Sequence, residues 1–405
     1  MTMLAWVLWC ASVPIAALAL VMTVANLRRY LPLAHTAWPG RAGGGPAAAP
    51  QAVGPLISVC IPARNEEANL APCVESLLAA ASGSGTATAS VEIMVYDDQS
   101  TDRTAEIVAD LCARDARIRR VPTRTLPPGW NGKQHACDRM GRAARGAWLL
   151  FTDADVRFAP GTLARDVVPA LAAADHACIA LLSTFPRQIT GTLAERLIVP
   201  MIHFILFAYL PMGRMRGTLD PAASAGCGQF LLVRREAYLA AGGHASFKHS
   251  MHDGIMLPRA LRRAGFKTDL FDGTGLCSVR MYTGLTATWR GFTKNAYEGL
   301  GNLFLLVLLT LLHLVGHVLP WGVVAWSLLG WPWPERWPGP GAWGPAALAV
   351  ALNLVQRTLL ALRFRQPPLG IVLHPVGVLL MTAIQWHSFL LHITGRRAWR
   401  GRIAP

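Results

Sequence analysis

Apolar residues gather at the two ends of this chain and alternate with polar ones in its middle. No charged side chain interrupts residues 1–27, and Arg28-Arg29 close the run. A helix crosses a bilayer core with about 20 apolar residues, so residues 1–29 read as an N-terminal transmembrane anchor. A cleaved signal peptide fits less well, because no basic stretch precedes a run that exceeds the usual roughly 7–15 apolar residues. Charge is also absent between Glu298 and Glu335, from Ala342 to Gln356 and from Leu369 to Thr394. These stretches predict spans near 302–325, 342–362 and 369–394 within a C-terminal transmembrane region, 299–395, ahead of a basic tail, 396–405. The loop WPWPERWPGPG between the first two has the Trp and Pro of an interfacial turn. Four crossings put the tail RRAWRGR on the side opposite the globular part, against the positive-inside tendency. A fifth crossing or a re-entrant segment, for instance a bend at Pro320, would remove the conflict.

Between the ends the pattern is that of a folded domain, 56–298, reached through a Gly/Pro/Ala linker, 30–55, that includes GRAGGGPAAAP. Leu56 to Ile61 (LISVCI) is apolar without alternation, as in a strand buried on both faces. A helical segment, about Leu70 to Ala81, follows. Then come a strand at Val91 to Tyr96, a helix at Thr104 to Arg114, a strand at Ile118 to Val121, a helix at Gly132 to Arg145 and a strand at Trp148 to Thr152. Alternating strands and helices predict an α/β fold, a Rossmann-like, mostly parallel sheet with helices on both faces. One apolar stretch inside the domain, near 197–210 (LIVPMIHFILFAYL), is short for a span and contains Pro200. It reads as an interfacial helix, with a buried core helix as the alternative.

Composition sharpens this picture. Charged residues make up 15% of 405 positions, few for a soluble chain, and the net charge is +15. Such a balance suits an anionic membrane surface or nucleic acid. The 56–298 segment holds 27 of the 38 basic and 22 of the 23 acidic residues. The excess therefore sits mostly in the flanks, as membrane-border charge, and nucleic acid is set aside as a partner. The eight cysteines form no C-x-x-C pair, so a zinc or redox motif is not indicated. His313 and His317 share a helix face inside a span, where packing is the simpler role.

The acids stand where a parallel sheet binds ligands, beyond the carboxyl ends of its strands. Glu66 follows the first strand, Asp97-Asp98 end the second, and Asp153-Ala154-Asp155 follow the fourth. Carboxylates at three strand ends of a basic domain point to a divalent cation, Mg²⁺ or Mn²⁺, which shares its coordination with substrate phosphates.

Together these residues resemble a known family. Pro62-Ala63-Arg64-Asn65-Glu66-Glu67, Asp97-Asp98 with Ser100-Thr101-Asp102, Gly132-Lys133 and Asp153-Ala154-Asp155, in that order, look like the family 2 inverting glycosyltransferases of GT-A fold. LPPGWNGKQHA (126–136) is similar to the membrane-bound branch that includes hopanoid-associated and carotenoid (diaponeurosporenoate) glycosyltransferases. The resemblance implies a nucleotide-sugar site of Arg64, Glu66, Asp98, Lys133 and Asp153, with UDP-sugar the expected donor. It also implies a metal site of Asp155 and Asp153, Asp155 being the more direct ligand. Asp253 would be the catalytic base, although as the first residue of a helix-like stretch it could instead serve as a cap. His252 stands where the family often has an acid, and reads as a surface residue. Gly228, Gln229, His252, Arg280, Trp289 and Arg290 fall on the acceptor side, Trp289 being equally suited to a membrane-interface anchor. The Gln-x-x-Arg-Trp motif of processive synthases is absent. The expectation is an integral protein of the bacterial cytoplasmic membrane, catalytic on its cytoplasmic side, that moves one sugar to a lipid-like acceptor. A polysaccharide or oligosaccharide synthase and a non-catalytic membrane scaffold are the alternatives.

Overall fold

The computed structural model describes residues 3–36, 57–83, 89–332, 343–399 and 402–403. Most of the expected linker, most of the WPWPERWPGPG loop and part of the basic tail lie outside the described residues. The chain divides into two compact units. One comprises Met1–Arg28, Thr190–Pro211 and Tyr282–Arg397; the other comprises Arg29–Ile189, Met212–Met281 and Ala398–Pro405.

In the second unit the strands are β1 (Ile57–Ala63), β2 (Val91–Asp97), β3 (Ile118–Arg120), β4 (Trp148–Phe151), β5 (Val156–Phe158), β6 (Ile179–Ser183), β7 (Arg187–Gln188), β8 (Leu231–Arg234), β9 (Lys267–Leu270) and β10 (Cys277–Val279). Seven of them form one sheet in the order β3-β2-β1-β4-β8-β6-β9. All neighbours are parallel except at β8, which runs antiparallel to both β4 and β6. β5, β10 and β7 make a small second sheet.

The lack of alternation in β1 has its expected cause, burial on both faces. Val59 and Ile61 pack into a core with Leu70, Val74 and Leu77. Cys60 packs into another with Met94, Leu149, Met140 and Leu257. Ser58 interrupts the apolar run without cost, because its hydroxyl donates to Glu92 and accepts from the Gly146 amide at 2.8 Å.

The other unit contains four helices long and apolar enough to cross a membrane. Met3–Leu27, the 303–328 run and Trp343–Phe364 match the expected spans to within a few residues. The 303–328 run does not break at Pro320. It passes through a π-helical turn, Leu314–Val318, where the carbonyls left free are met from neighbouring helices. Ser12 Oγ donates to Val315 O at 2.8 Å, and Asn353 Nδ2 donates to Gly316 O at 3.0 Å.

The last long helix, His374–Ile393, falls within the expected 369–394 stretch. It lies antiparallel to the 303–328 run with its start beside the middle of that run. His374 Nε2 is 3.2 Å from His317 Nδ1, and His313 Nδ1 is 3.2 Å from Thr382 Oγ1. Trp386 Nε1 donates to Thr310 Oγ1 at 3.0 Å, and Arg397 pairs with Glu298 at 3.1 Å. Gly316 and Asn353 share a level, and at 1.5 Å per residue Leu303 and Phe364 lie about 20 and 16 Å from it. Val323 packs on Ala346, which sets these two helices antiparallel and puts both ends on one side. Gln356 reaches Ala19 and Thr23, so Leu27 ends on that side too. Residue 393 also ends there. The helix therefore starts beside the middle of the 303–328 run and ends on the same side of the helical unit as Leu27 and Phe364.

Within the 197–210 stretch, Pro200 separates Leu193–Ile198 from Met201–Tyr209. The stretch belongs with the long helices, and Met201, Phe204 and Phe207 are buried. Phe204 packs against His313, His317 and His374. The stretch is thus packed within the helical unit.

Candidate active site

β1 and β2 are in register to their ends, Ala63 opposite Asp97. The loops that follow lock together through side chains of the motif. Asn65 N donates to Ser100 Oγ (3.0 Å), Thr101 N to Asn65 Oδ1 (2.8 Å), Glu66 N to Thr104 Oγ1 (2.8 Å) and Glu67 N to Asp102 Oδ2 (3.1 Å). Asn65 adopts φ 55° and Gln99 φ 56°. Asn tolerates that left-handed geometry best among residues with a side chain, which explains the residue type at 65. Arg64 Nη1 donates to the Asp98 carbonyl at 2.6 Å and lies 3.8 Å from its carboxylate. Asp98 is buried. Glu66 accepts from Asn69 Nδ2 at 3.0 Å.

Lys133 sits on the first turn of the helix Gly132–Ala143, whose N-cap Asn131 accepts from the Lys133 amide at 3.0 Å. Its ammonium lies 2.7 Å from Asp153 Oδ1 and 3.0 Å from Asp253 Oδ2. Two further contacts fasten this helix to the segment before Asp253. The Asn131 amide donates to Lys248 O at 2.7 Å, and Gln134 Nε2 donates to Ser250 O at 3.1 Å. Burial pulls the Lys133 pKa down, but Asp153 and Asp253 outweigh it and hold it well above the usual lysine value. Burial likewise opposes the charge on Asp253, yet Lys133 and then His244 keep its carboxyl below the ordinary range.

Asp253 is the first residue of the helix Asp253–Arg263, and His252 occupies the cap position. Its Oδ1 accepts from the Gly254 amide at 2.8 Å, so Oδ2 is the oxygen turned to Lys133. The 226–229 loop closes over it. A Cβ on Gly228 would run into the Asp253 carboxylate, and one on Gly254 would lie 2.6 Å from the Gly226 carbonyl. Gly228→Ala should therefore displace Asp253 and lower turnover while leaving nucleotide affinity unchanged, as measured by steady-state kinetics beside donor titration.

Asp155 differs from Asp153. Its Oδ1 is buried with no hydrogen-bond partner. Burial, then Asp153 and Glu66, push its pKa up to about 7. Such a carboxylate suits a cation. Among the described residues no three His, Cys, Asp or Glu side chains gather as a metal cluster. The protein would thus supply Asp155 and Asp153, in keeping with Mg²⁺-type ions that take one or two carboxylates and complete their shell with phosphates and water.

The structure therefore brings Lys133, Asp153, Asp253 and Gly228 together, with Asp155 and Glu66 near enough to act on one another's charge. Gln229 is buried, and its carbonyl accepts from Thr152 Oγ1 at 2.8 Å. His252 is half-buried and Arg280 exposed. Trp289 and Arg290 belong to the helical unit, on Gly284–Thr293, where Trp289 Nε1 donates to His387 Nδ1 at 2.8 Å. Sequence reading missed Gly254, whose close approach to the Gly226 carbonyl depends on a fold-level contact. It also missed Asn131, whose Asn-Gly pair ahead of a helix is a readable cap signal.

A seven-stranded sheet of this order, with carboxylates, a lysine and an aspartate-led helix at its carboxyl edge, has the GT-A fold. Residues 58–240 match the family model described as Glycosyl transferase family 2. It is 26% identical over 287 residues to a 4,4'-diaponeurosporenoate glycosyltransferase of Staphylococcus haemolyticus, covering 67% of this chain and 69% of the relative. It is 33% identical over 102 residues to the glycosyltransferase EpsJ of Bacillus subtilis, covering 25% and 26% of the two chains. A mannosyltransferase of Pyrobaculum calidifontis, solved with GDP-Man and Mn²⁺, shares the fold with a TM-score of 0.51. The match covers 94% of this chain and 99% of that one at 15% identity.

Proposed function

We propose that this glycosyltransferase moves one sugar from a nucleotide-sugar, UDP-linked, to a lipid-like acceptor at the cytoplasmic face of a bacterial membrane, with inversion at the anomeric carbon. The observation that carries the reading is Lys133 held between Asp153 and Asp253. Asp253, kept ionised by Lys133, takes the proton of the acceptor hydroxyl on Oδ2 as that oxygen bonds to the anomeric carbon. The bond from that carbon to the diphosphate breaks, and its electron pair goes to the diphosphate. Lys133, charged throughout, stabilises the negative charge that builds there. Asp98 and Arg64 hold the nucleoside end, and Glu66 the ribose. A divalent cation, Mg²⁺ or Mn²⁺, would be held by Asp153 and Asp155 and when bound would neutralise diphosphate charge.

Support for a lipid acceptor comes from the four membrane-length helices in the same chain. Support for the cytoplasmic side comes from Arg28, Arg363, Arg365, Arg396 and Arg397, all at the end of the helical unit where Leu27, Phe364 and Ile393 terminate. Lipid extracts of cells with and without the protein test the reading. One glycolipid carrying a single added sugar is expected to be missing in the deleted strain. A ladder of products would favour a polysaccharide synthase. No turnover with any donor would favour a scaffold.

A further inference from the structure

Among the described residues, the helical unit holds a buried cation that no carboxylate meets. Arg357, on the membrane-length helix Trp343–Phe364, is 1% exposed. Its one hydrogen bond runs from Nη2 to Gln366 Oε1 at 3.4 Å, while Nε and Nη1 are buried without a partner. Gln366 in turn lies 3.2 Å from His203 Nδ1, so the polar chain continues through a neutral amide and an imidazole rather than to an acid.

The described acids of the helical unit are committed elsewhere. Glu195 accepts from Gly191 N (2.6 Å), Thr192 Oγ1 (2.7 Å) and Gly284 N (2.8 Å), and Glu298 pairs with Arg397. Among the described residues no carboxylate pairs with Arg357. A guanidinium cannot shed its proton to escape this cost, and two of its donors remain open in an apolar setting.

We propose that Arg357 seats an oxyanion, a phosphate or carboxylate group, carried into the unit by a membrane lipid. The forked guanidinium matches either group. Depth favours a lipid as the source. Arg357 precedes Phe364 by seven residues, about 10 Å along the helix. That end also bears Arg363 and Arg365, where headgroups collect. An anion on a lipid reaches this depth with its chains already in the bilayer, whereas a free hydrated ion would have to be desolvated. The proposal concerns the helical unit alone, and its test does not depend on transferase activity.

The test uses the full chain in nanodiscs of phosphatidylcholine, with or without phosphatidylglycerol, read by native mass spectrometry and thermal unfolding. The wild type is expected to retain one anionic lipid and to unfold at higher temperature when phosphatidylglycerol is present. Arg357→Met should retain that lipid about a hundredfold less and lose the shift. Arg363→Met, at the helix end, should keep both. If Arg357→Met does not fold, Arg357→Lys should fold and bind the lipid more weakly than wild type. Equal lipid retention by wild type and Arg357→Met, or no shift in the wild type, would overturn the site. Stabilisation by inorganic phosphate in pure phosphatidylcholine discs, with none from phosphatidylglycerol, would overturn the lipid source.

Discussion

Asp253→Asn is expected to slow sugar transfer by ~10²–10⁴ while the protein still binds its nucleotide-sugar. The substitution is nearly isosteric, and its amide oxygen can keep the bond from the Gly254 amide at 2.8 Å. What it loses is the capacity of Oδ2 to accept a proton, together with the negative charge facing Lys133. Lys133 retains Asp153 at 2.7 Å, so the lysine stays anchored and the donor end of the site keeps its geometry. Radiolabelled transfer measured beside donor titration separates the two effects. Near wild-type turnover in Asp253→Asn would remove Asp253 from the role of base.

Lys133→Met is expected to damage both turnover and stability. The ammonium is the shared partner of two carboxylates, and without it Asp253, 8% exposed, would face Asp153 with no cation between them. Removing one partner of a buried pair costs ~3–5 kcal/mol. The cost here should fall below that range, because Asp153 is 32% exposed and water screens it. Loss of a charge that stabilises the departing diphosphate should lower the rate by ~10²–10³. Thermal unfolding and single-turnover assays read the two losses. Asp253→Asn combined with Lys133→Met should recover part of the stability and none of the rate, since it removes the unpaired charge without restoring a base. Full activity in Lys133→Met would exclude the lysine from the chemistry.

The β1, β2 and β4 strands were legible in the sequence, because strands buried on both faces read as apolar runs without alternation, broken here only at Ser58 and Glu92, with an acid at or just beyond the carboxyl end. The lock between Asn65-Glu66-Glu67 and Ser100-Thr101-Asp102 was legible as residue types but not as a set of hydrogen bonds. The pairing of Lys133 with Asp253 was not legible. It joins residues 120 positions apart, through a helix cap and a glycine loop that no local pattern records. Gly228 gives the same lesson: its lack of a side chain matters only because Asp253 lies against it. In the helical unit, composition found the four long apolar helices among the described residues but not how they lie against one another. His374–Ile393 has the length and apolar content of a crossing helix, and its start beside the middle of the 303–328 run appears only in the partners His317, His313 and Thr310.

That start beside the middle of the 303–328 run bears on the order in which the helices can pack. The first turn of the last helix carries His374, which sits at the middle of the helical unit beside His317 and under Phe204. Farther along, Thr382 finds His313 and Trp386 finds Thr310. Alone in hydrocarbon these polar groups would be unsatisfied. The last helix is thus the guest of a framework built from the earlier ones, since its polar side chains find their partners only on those helices.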